Sequence, residues 1–134
     1  MMEKTTNKTV TLSVNTVLAM HRLIAERTGG SPELREIGLL ESGLNAPFQT
    51  FGGEELYPSV LEKGVTLGYG LICNHPFVDG NKRIGMLAML TFFKLNGCEI
   101  TASSEEIARV GLAVASGEMK YDALYGWASS AVKL

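Results

Sequence analysis

The chain has 134 residues, of which 46% are hydrophobic, and a formal net charge of −2. This length and composition predict one domain over residues 1–134 with a single core, after a polar N-terminal tail of about residues 1–12. The slightly negative charge excludes a general basic field, so direct DNA binding is not expected. The start is polar and no run reaches the ~18 apolar residues of a membrane span, so we expect a cytoplasmic protein without a membrane partner.

Apolar periodicity predicts helices in the first part of the chain. The first runs from about Val14 to Thr28 and is stopped by a glycine pair. A second is expected from Pro32 to about Asn45, because proline is favoured at the first helical position. The segment from Phe48 to Leu56 lacks helical periodicity and carries Gly52-Gly53 in its middle, which predicts a short hairpin or flap.

Helical patterns also cover the rest of the chain. They predict helices from Tyr57 to Asn74, from Gly80 to Leu95, from about Ser103 to Ser116 and from Tyr121 to Val132. Gly80 to Leu95 is apolar on nearly every face and is therefore expected to be the central helix around which the others pack. Ser103, with a glutamate three residues on, predicts a capping box. The fold class is all-α, a compact helical bundle with one short hairpin or flap.

The two cysteines, Cys73 and Cys98, lie in apolar, helical-looking surroundings. Their wide spacing implies neither a disulfide framework nor a zinc knuckle, so we expect buried thiols. A zinc site built from Cys73, His75 and Asp79 lacks a fourth ligand and any usual spacing.

Residues 75–83 read His-Pro-Phe-Val-Asp-Gly-Asn-Lys-Arg. Pro76 should push His75 out of the α region, so a loop follows the helix before it. At the start of the next helix the backbone amides of Gly80, Asn81, Lys82 and Arg83 have no partner inside that helix. Together with the helix dipole and the two cationic side chains, they form a cradle suited to phosphate.

Several of these side chains allow two interpretations. In its neutral form His75 can take a proton from an attacking hydroxyl, although a lone histidine is more often structural. Asp79 is either the N-cap of the helix or the single carboxylate that Mg²⁺ needs when nucleotide phosphates supply other ligands. Beside His75 and the two cations we favour the metal role. Phe77 is expected to point into the core as a loop anchor, and Asn81 either binds a phosphate oxygen or orients the loop.

His75, Phe77, Asp79, Gly80, Asn81 and Arg83 match the signature His-x-Phe-x-(Asp/Glu)-(Gly/Ala)-Asn-x-Arg, and the chain therefore resembles the Fic/Doc family. The resemblance implies a helical fold that uses ATP or another nucleoside triphosphate, with Mg²⁺, to modify a hydroxyl of another protein. It implies a general-base role for His75 and a metal-ligand role for Asp79. It also implies a phosphate-binding role for Gly80, Asn81, Lys82 and Arg83.

Position 82 separates two branches of this family. Members that transfer AMP usually have glycine there and a second arginine three residues after the first, whereas this chain has Lys82 and Met86. Both departures resemble the death-on-curing (Doc) toxins of toxin-antitoxin pairs, which transfer the γ-phosphoryl group of ATP to elongation factor Tu and stop translation. Gly80 instead resembles the AMP-transferring branch, because the Doc pattern usually has alanine at that position. AMP transfer is therefore kept as the alternative.

We also expect a separate protein to inhibit the activity of this chain. Thr50 and Glu54 have the spacing of an inhibitory motif found in Fic relatives, but Glu55 follows where glycine or asparagine belongs, so we treat the match as coincidence. A cognate antitoxin with a segment that folds onto this domain is the expected partner. A third hypothesis, from another class, is a domain without catalytic activity that binds an antitoxin.

Overall fold

The computed structural model describes residues 9–133, and over this range the chain is largely helical. Its α-helices are α1 (Val14–Thr28), α2 (Ile37–Asn45), α3 (Val60–Asn74), α4 (Asn81–Leu95), α5 (Ser104–Ala115) and α6 (Tyr121–Ala131). A 3-10 turn (Ala46–Phe48) follows α2. Two short antiparallel pairs, β1 (Thr50–Phe51) with β2 (Glu54–Glu55) and β3 (Glu99–Ile100) with β4 (Val132–Lys133), complete the fold. The predicted all-α class is confirmed.

Helix α4 lies at the centre, as its apolar pattern predicts. It packs along α3 and also contacts α1 and α5. Ile84, Met89, Phe92 and Phe93 on α4 are fully buried. The two central helices approach closely because α3 has small residues at the contact: a Cβ on Gly68 would lie 2.9 Å from the Cβ of Met89. The two helices therefore pack closely where Met89 contacts α3.

Helix ends follow local capping signals in most places. Ser59 and Glu62 form a complete capping box at the start of α3, which the sequence interpretation did not recognise. The box predicted at Ser103 is only half present. Its hydroxyl accepts from the amide of Glu106 (3.1 Å), but the Glu106 carboxylate instead accepts from the indole N–H of Trp127 (2.7 Å). A tertiary contact therefore replaces the second half of that motif.

The predicted hairpin is confirmed. Gly52 and Gly53 both have positive φ (61° and 84°), which a two-residue turn between twisted strands requires. Its base is anchored by Lys63, whose side chain is 3% exposed and whose ammonium lies 2.5 Å from Glu55 and donates to the carbonyl of Tyr57. Residues 50–55 are all exposed, so the hairpin projects from a fixed base.

Some predicted boundaries are wrong. The second helix begins at Ile37 rather than Pro32, because residues 33–36 are extended and pair with the loop after α3. Leu34 forms a β-bridge with Phe77, and the amides of Arg35 and Glu36 both donate to the carbonyl of Pro76 (2.8 and 3.1 Å). At the other end of the chain Val132 belongs to β4 and not to the last helix.

The N-terminal tail and the cysteines also differ from expectation. Residues 1–8 of the predicted tail lie outside the described residues, but Leu12 is buried and Val10 exchanges two 2.8 Å hydrogen bonds with Asn96. The chain is therefore part of the fold by residue 10. Cys98 is buried as expected, whereas Cys73 is exposed, because it lies at the surface in the last turn of α3.

None of the helices between residues 9 and 133 combines the length and the apolar character that crossing a bilayer would need.

Candidate active site

A cleft of about 580 Å³ lies where the end of α1, the loop after α3 and the start of α4 meet. We call it the first cleft, and we call residues 75–80 the motif loop. The structure brings six predicted site residues to this cleft: His75, Asp79, Gly80, Asn81, Lys82 and Arg83. Phe77 lies behind the loop and is 1% exposed. Sequence reasoning missed much of the opposite wall, which comprises His21, Ile24, Thr28, Gly30 and Ser31.

His75 caps the C-terminus of α3 in an unusual backbone conformation. Its φ of 52° and ψ of 58° make it the one non-glycine residue with positive φ among the described residues. Proline at position 76 was expected to displace it from the right-handed α region, and the structure places it in the left-handed one. Such a conformation costs about 1–3 kcal/mol and persists where the surroundings enforce it.

Arg35 holds the backbone of His75 in this left-handed conformation. Its Nε donates to the carbonyl of His75 (2.8 Å) and its guanidinium also donates to the carbonyl of Asn74 (3.1 Å). Two unpaired carbonyls at the end of α3 are thereby satisfied by one charged side chain. The sequence offered no local signal for this role, because the two partners are separated by about forty residues along the chain.

The ring of His75 is exposed and oriented by its own helix. Nδ1 lies 3.2 Å from the carbonyl oxygen of Cys73. Because a carbonyl can only accept, Nδ1 must carry the proton in this contact. In the neutral imidazole Nε2 is then the free acceptor, so the side chain is in the tautomer that a general base at this cleft requires.

Phe77 pins the motif loop against the core. Its ring stacks on the buried ring of His21, with centroids 3.6 Å apart and planes 9° from parallel. His21 also donates from Nε2 to the carbonyl of Asp79 (2.7 Å), which leaves its Nδ1 buried and without a partner among the described residues. His21 therefore holds the motif loop at two points. A histidine within the apolar stripe of α1 was the available signal.

Asn81 closes the motif loop on itself. Its Oδ1 accepts from the amide of Phe77 (3.0 Å) and its Nδ2 donates to the carbonyl of the same residue (2.9 Å). The side chain is 8% exposed. Of the two roles left open by the sequence, these hydrogen bonds correspond to orientation of the loop by the side chain.

Asp79 is not the N-cap of α4. Gly80 takes that position with a φ of 77°, a conformation that glycine adopts at little cost. The Asp79 carboxylate is exposed, and one of its oxygens accepts from the amide of Gly80 (3.0 Å). The other lies against Gly30, where a Cβ would come within 2.6 Å of it. A single accessible carboxylate beside a phosphate cradle fits the ligand requirement of Mg²⁺, which takes one or two protein carboxylates and the phosphates of a substrate.

The predicted phosphate cradle retains three of its four backbone amides, because the amide of Gly80 donates to the Asp79 carboxylate (3.0 Å). The first backbone hydrogen bond of α4 joins the amide of Ile84 to the carbonyl of Gly80 (3.0 Å), so the amides of Asn81, Lys82 and Arg83 precede the helical ladder. The side chains of Lys82 and Arg83 are exposed, and neither forms an ion pair within residues 9–133. Positive charge at the N-terminus of the central helix α4 is thus available to an anion.

A protein-only metal centre is not formed by these groups. The part of the chain that the structure describes contains no cluster of three or more histidine, cysteine, aspartate or glutamate side chains able to hold an ion.

A helical bundle that brings an imidazole, a carboxylate and a cationic helix start to one cleft has the groups suited to binding a phosphate compound. A family model described as "Fic/DOC family" matches residues 11–93, which include every lining residue of this cleft except Ala115 at the end of α5. The chain belongs to the Fic/DOC family.

One curated protein is similar over part of the chain. The chain is 38% identical over 74 residues to the "Toxin Doc" of Mycolicibacterium smegmatis, a match that covers 55% of this chain and 57% of that protein. The aligned region therefore spans little more than half the length of this relative.

Proposed function

We propose that this chain is a Doc-like toxin that transfers the γ-phosphoryl group of ATP to a serine or threonine hydroxyl of another cellular protein. By resemblance the target is a translation elongation factor, and its modification would inhibit translation. The observation that carries the proposal is the position of His75, whose free Nε2 shares a cleft with the unpaired amides and cations at the start of α4. The similarity to a protein named "Toxin Doc" also supports the proposal of a Doc-like toxin.

The reaction assigns a separate task to each group. The acceptor hydroxyl attacks the γ-phosphorus, the new O–P bond forms, and the bond to the bridging oxygen breaks with release of ADP. His75 takes the hydroxyl proton at Nε2, a role typically worth about 10²- to 10⁴-fold in rate. Because Arg35 and the Cys73 carbonyl fix this residue from both sides, the ring is positioned before the substrate arrives.

The phosphate cradle is the group that would neutralise the negative charge of the transferred phosphate. The transition state of phosphoryl transfer is loose and spreads negative charge over the equatorial oxygens, so catalysis depends on positioning and on nearby positive charge. The amides of residues 81–83 and the side chains of Lys82 and Arg83 supply both. Asp79 would hold Mg²⁺, which when bound would neutralise further charge on the phosphates.

The hairpin is the proposed docking element for the protein target. Its residues are exposed and Phe51 at the turn is 80% exposed, so a segment of the target can add to one of its edges as a further strand. Lys63 fixes the base of the hairpin, which reduces the entropy lost when the target binds. Restraint of the activity is assigned to a cognate antitoxin.

Incubation with Mg²⁺, elongation factor Tu and ATP labelled either at the α or at the γ phosphate tests the proposal. Label transferred from the γ position alone supports phosphoryl transfer. Label from the α position would replace the proposal with AMP transfer, which the glycine at position 80 favours. Label from neither supports the hypothesis of a non-catalytic binding domain. His75→Ala should abolish transfer, whereas Asn15→Ala on the exposed face of α1 is the matched control and should leave it unchanged.

A further inference from the structure

The glycine pair after α1 contains two residues in different backbone conformations. Gly29 has a φ of 77° and its amide donates to the carbonyl of Ala25 (2.9 Å), which is the left-handed cap that ends the helix. Gly30 is not among the described residues with positive φ, so its backbone carries no left-handed strain that would require glycine. The end of α1 therefore explains the first glycine of the pair and not the second.

Gly30 has no room for a side chain. A Cβ there would lie 2.6 Å from Oδ2 of Asp79 and 3.5 Å from its carboxyl carbon. Four other glycines within residues 9–133 would bring a Cβ closer than 3.0 Å to a neighbour, and each of those neighbours is a buried apolar side chain: Gly43, Gly64, Gly68 and Gly85. Of these five glycines, Gly30 is the one whose close neighbour is a charged group in the first cleft.

The rest of Asp79 is held by other contacts. His21 donates from Nε2 to the carbonyl of Asp79 (2.7 Å), and Oδ1 of the carboxylate accepts from the amide of Gly80 (3.0 Å). Oδ2 has no hydrogen-bond donor within the part of the chain that the structure describes, and the side chain is exposed. The carboxylate oxygen that remains for a cation is thus the one that lies against Gly30.

We propose that Gly30 is a positioning residue for this carboxylate: because it has no side chain, it leaves the space that Oδ2 of Asp79 occupies. The inference rests on the proposed function, because it assumes that Asp79 holds Mg²⁺. Since non-bonded heavy atoms normally lie about 3.5 Å apart, a Cβ at position 30 would displace Oδ2 by about 0.9 Å. Mg²⁺ requires near-ideal octahedral geometry, so a ligand displaced by this distance should bind it more weakly.

A purely structural role for Gly30 would have a different consequence. The Asp79 carboxylate is exposed and can rotate towards solvent, so Gly30→Ala requires no movement of the backbone and should leave the urea denaturation midpoint unchanged. If Gly30 were instead needed for packing, the substitution would lower that midpoint. Stability and the effect of Mg²⁺ on binding therefore distinguish the two roles.

Calorimetric titration of the full chain with ATP, in EDTA and in excess Mg²⁺, measures how much the metal strengthens binding. The measured quantity is the ratio of the two dissociation constants, which Asp79→Ala should lower because the carboxylate is lost. Gly30→Ala should lower the ratio about tenfold and change the dissociation constant in EDTA by less than about twofold, because it leaves the phosphate cradle intact.

Gly38→Ala is the matched control. It adds the same methyl group at an exposed position of α2, where nothing lies within 4 Å of the new Cβ, and should leave both dissociation constants unchanged. The double variant Gly30→Ala/Asp79→Ala covers the case in which Gly30→Ala alone does not fold. Without the carboxylate, the added Cβ should change neither the ratio nor the denaturation midpoint of Asp79→Ala. A further fall in that midpoint would show that the Cβ contacts something other than Asp79, which would overturn the inference.

The outcomes separate this inference from the proposed function. If Gly30→Ala keeps the wild-type ratio, Gly30 does not position the carboxylate, and the inference is overturned while the proposed function stands. If Asp79→Ala also keeps that ratio, Asp79 does not hold Mg²⁺, and the metal assignment fails together with the inference. If the wild type does not bind ATP under either condition, both proposals fail.

Discussion

Asn81 closes the motif loop, so its replacement should lower the free energy of unfolding by an amount that the structure determines. Asn81→Ala removes the partners of both the amide and the carbonyl of Phe77, at 3.0 and 2.9 Å. Because Phe77 is 1% exposed, water cannot replace either partner without opening the loop. An unsatisfied buried polar group costs about 1–3 kcal/mol, so the free energy of unfolding should fall by about 2–4 kcal/mol.

Urea denaturation of the ligand-free protein, followed by circular dichroism, measures this change. The denaturation midpoint should fall while the m-value stays constant. Asn15→Ala, on the exposed face of α1, is the matched control and should change stability by less than about 0.5 kcal/mol. A loss below about 1 kcal/mol for Asn81→Ala would refute the reasoning, since a side chain needed only for phosphate binding would not affect stability without ligand.

Three further changes test other parts of the site. Gly80→Ala should cost about 1–2 kcal/mol in urea denaturation, because the φ of 77° is strained for any residue with a Cβ, and an unchanged midpoint would contradict that. Arg35→Ala removes two partly screened hydrogen bonds to the end of α3, so it should cost about 1–2 kcal/mol and reduce the proposed transfer activity. Full activity would show that Arg35 does not position the motif loop. Burial raises the pKa of the Cys98 thiol, whereas Cys73 is exposed. A thiol reagent at mildly alkaline pH should therefore modify Cys73 first and Cys98 only in denaturant. Equal rates of modification in the native protein would contradict this.

The helices themselves were predictable from the sequence to within a few residues. Helices α1, α3 and α4 end or begin at glycines, at a serine cap or before a proline, and these signals act between neighbouring residues. The hairpin was predictable for the same reason, because a glycine pair between short segments specifies its own turn.

The walls of the first cleft were not predictable in this way. Ser31 and Pro32 favour a helix start, yet no helix begins there, because Leu34 pairs with Phe77. His21 and Arg35 hold the motif loop through contacts to Asp79 and His75 that join distant parts of the chain. Local propensity contains no information about such partners.

The sequence by itself determined the motif at residues 75–83 and its place between two helices, because residue type and spacing carry both. Only the tertiary structure decided how those residues are used: that the Asn81 side chain closes the loop, that Gly80 rather than Asp79 caps α4, and that the first cleft forms around them. The physical reason is the range of the interactions. Caps and periodicity depend on residues within about one helical turn, whereas a cleft exists only after separate helices have packed.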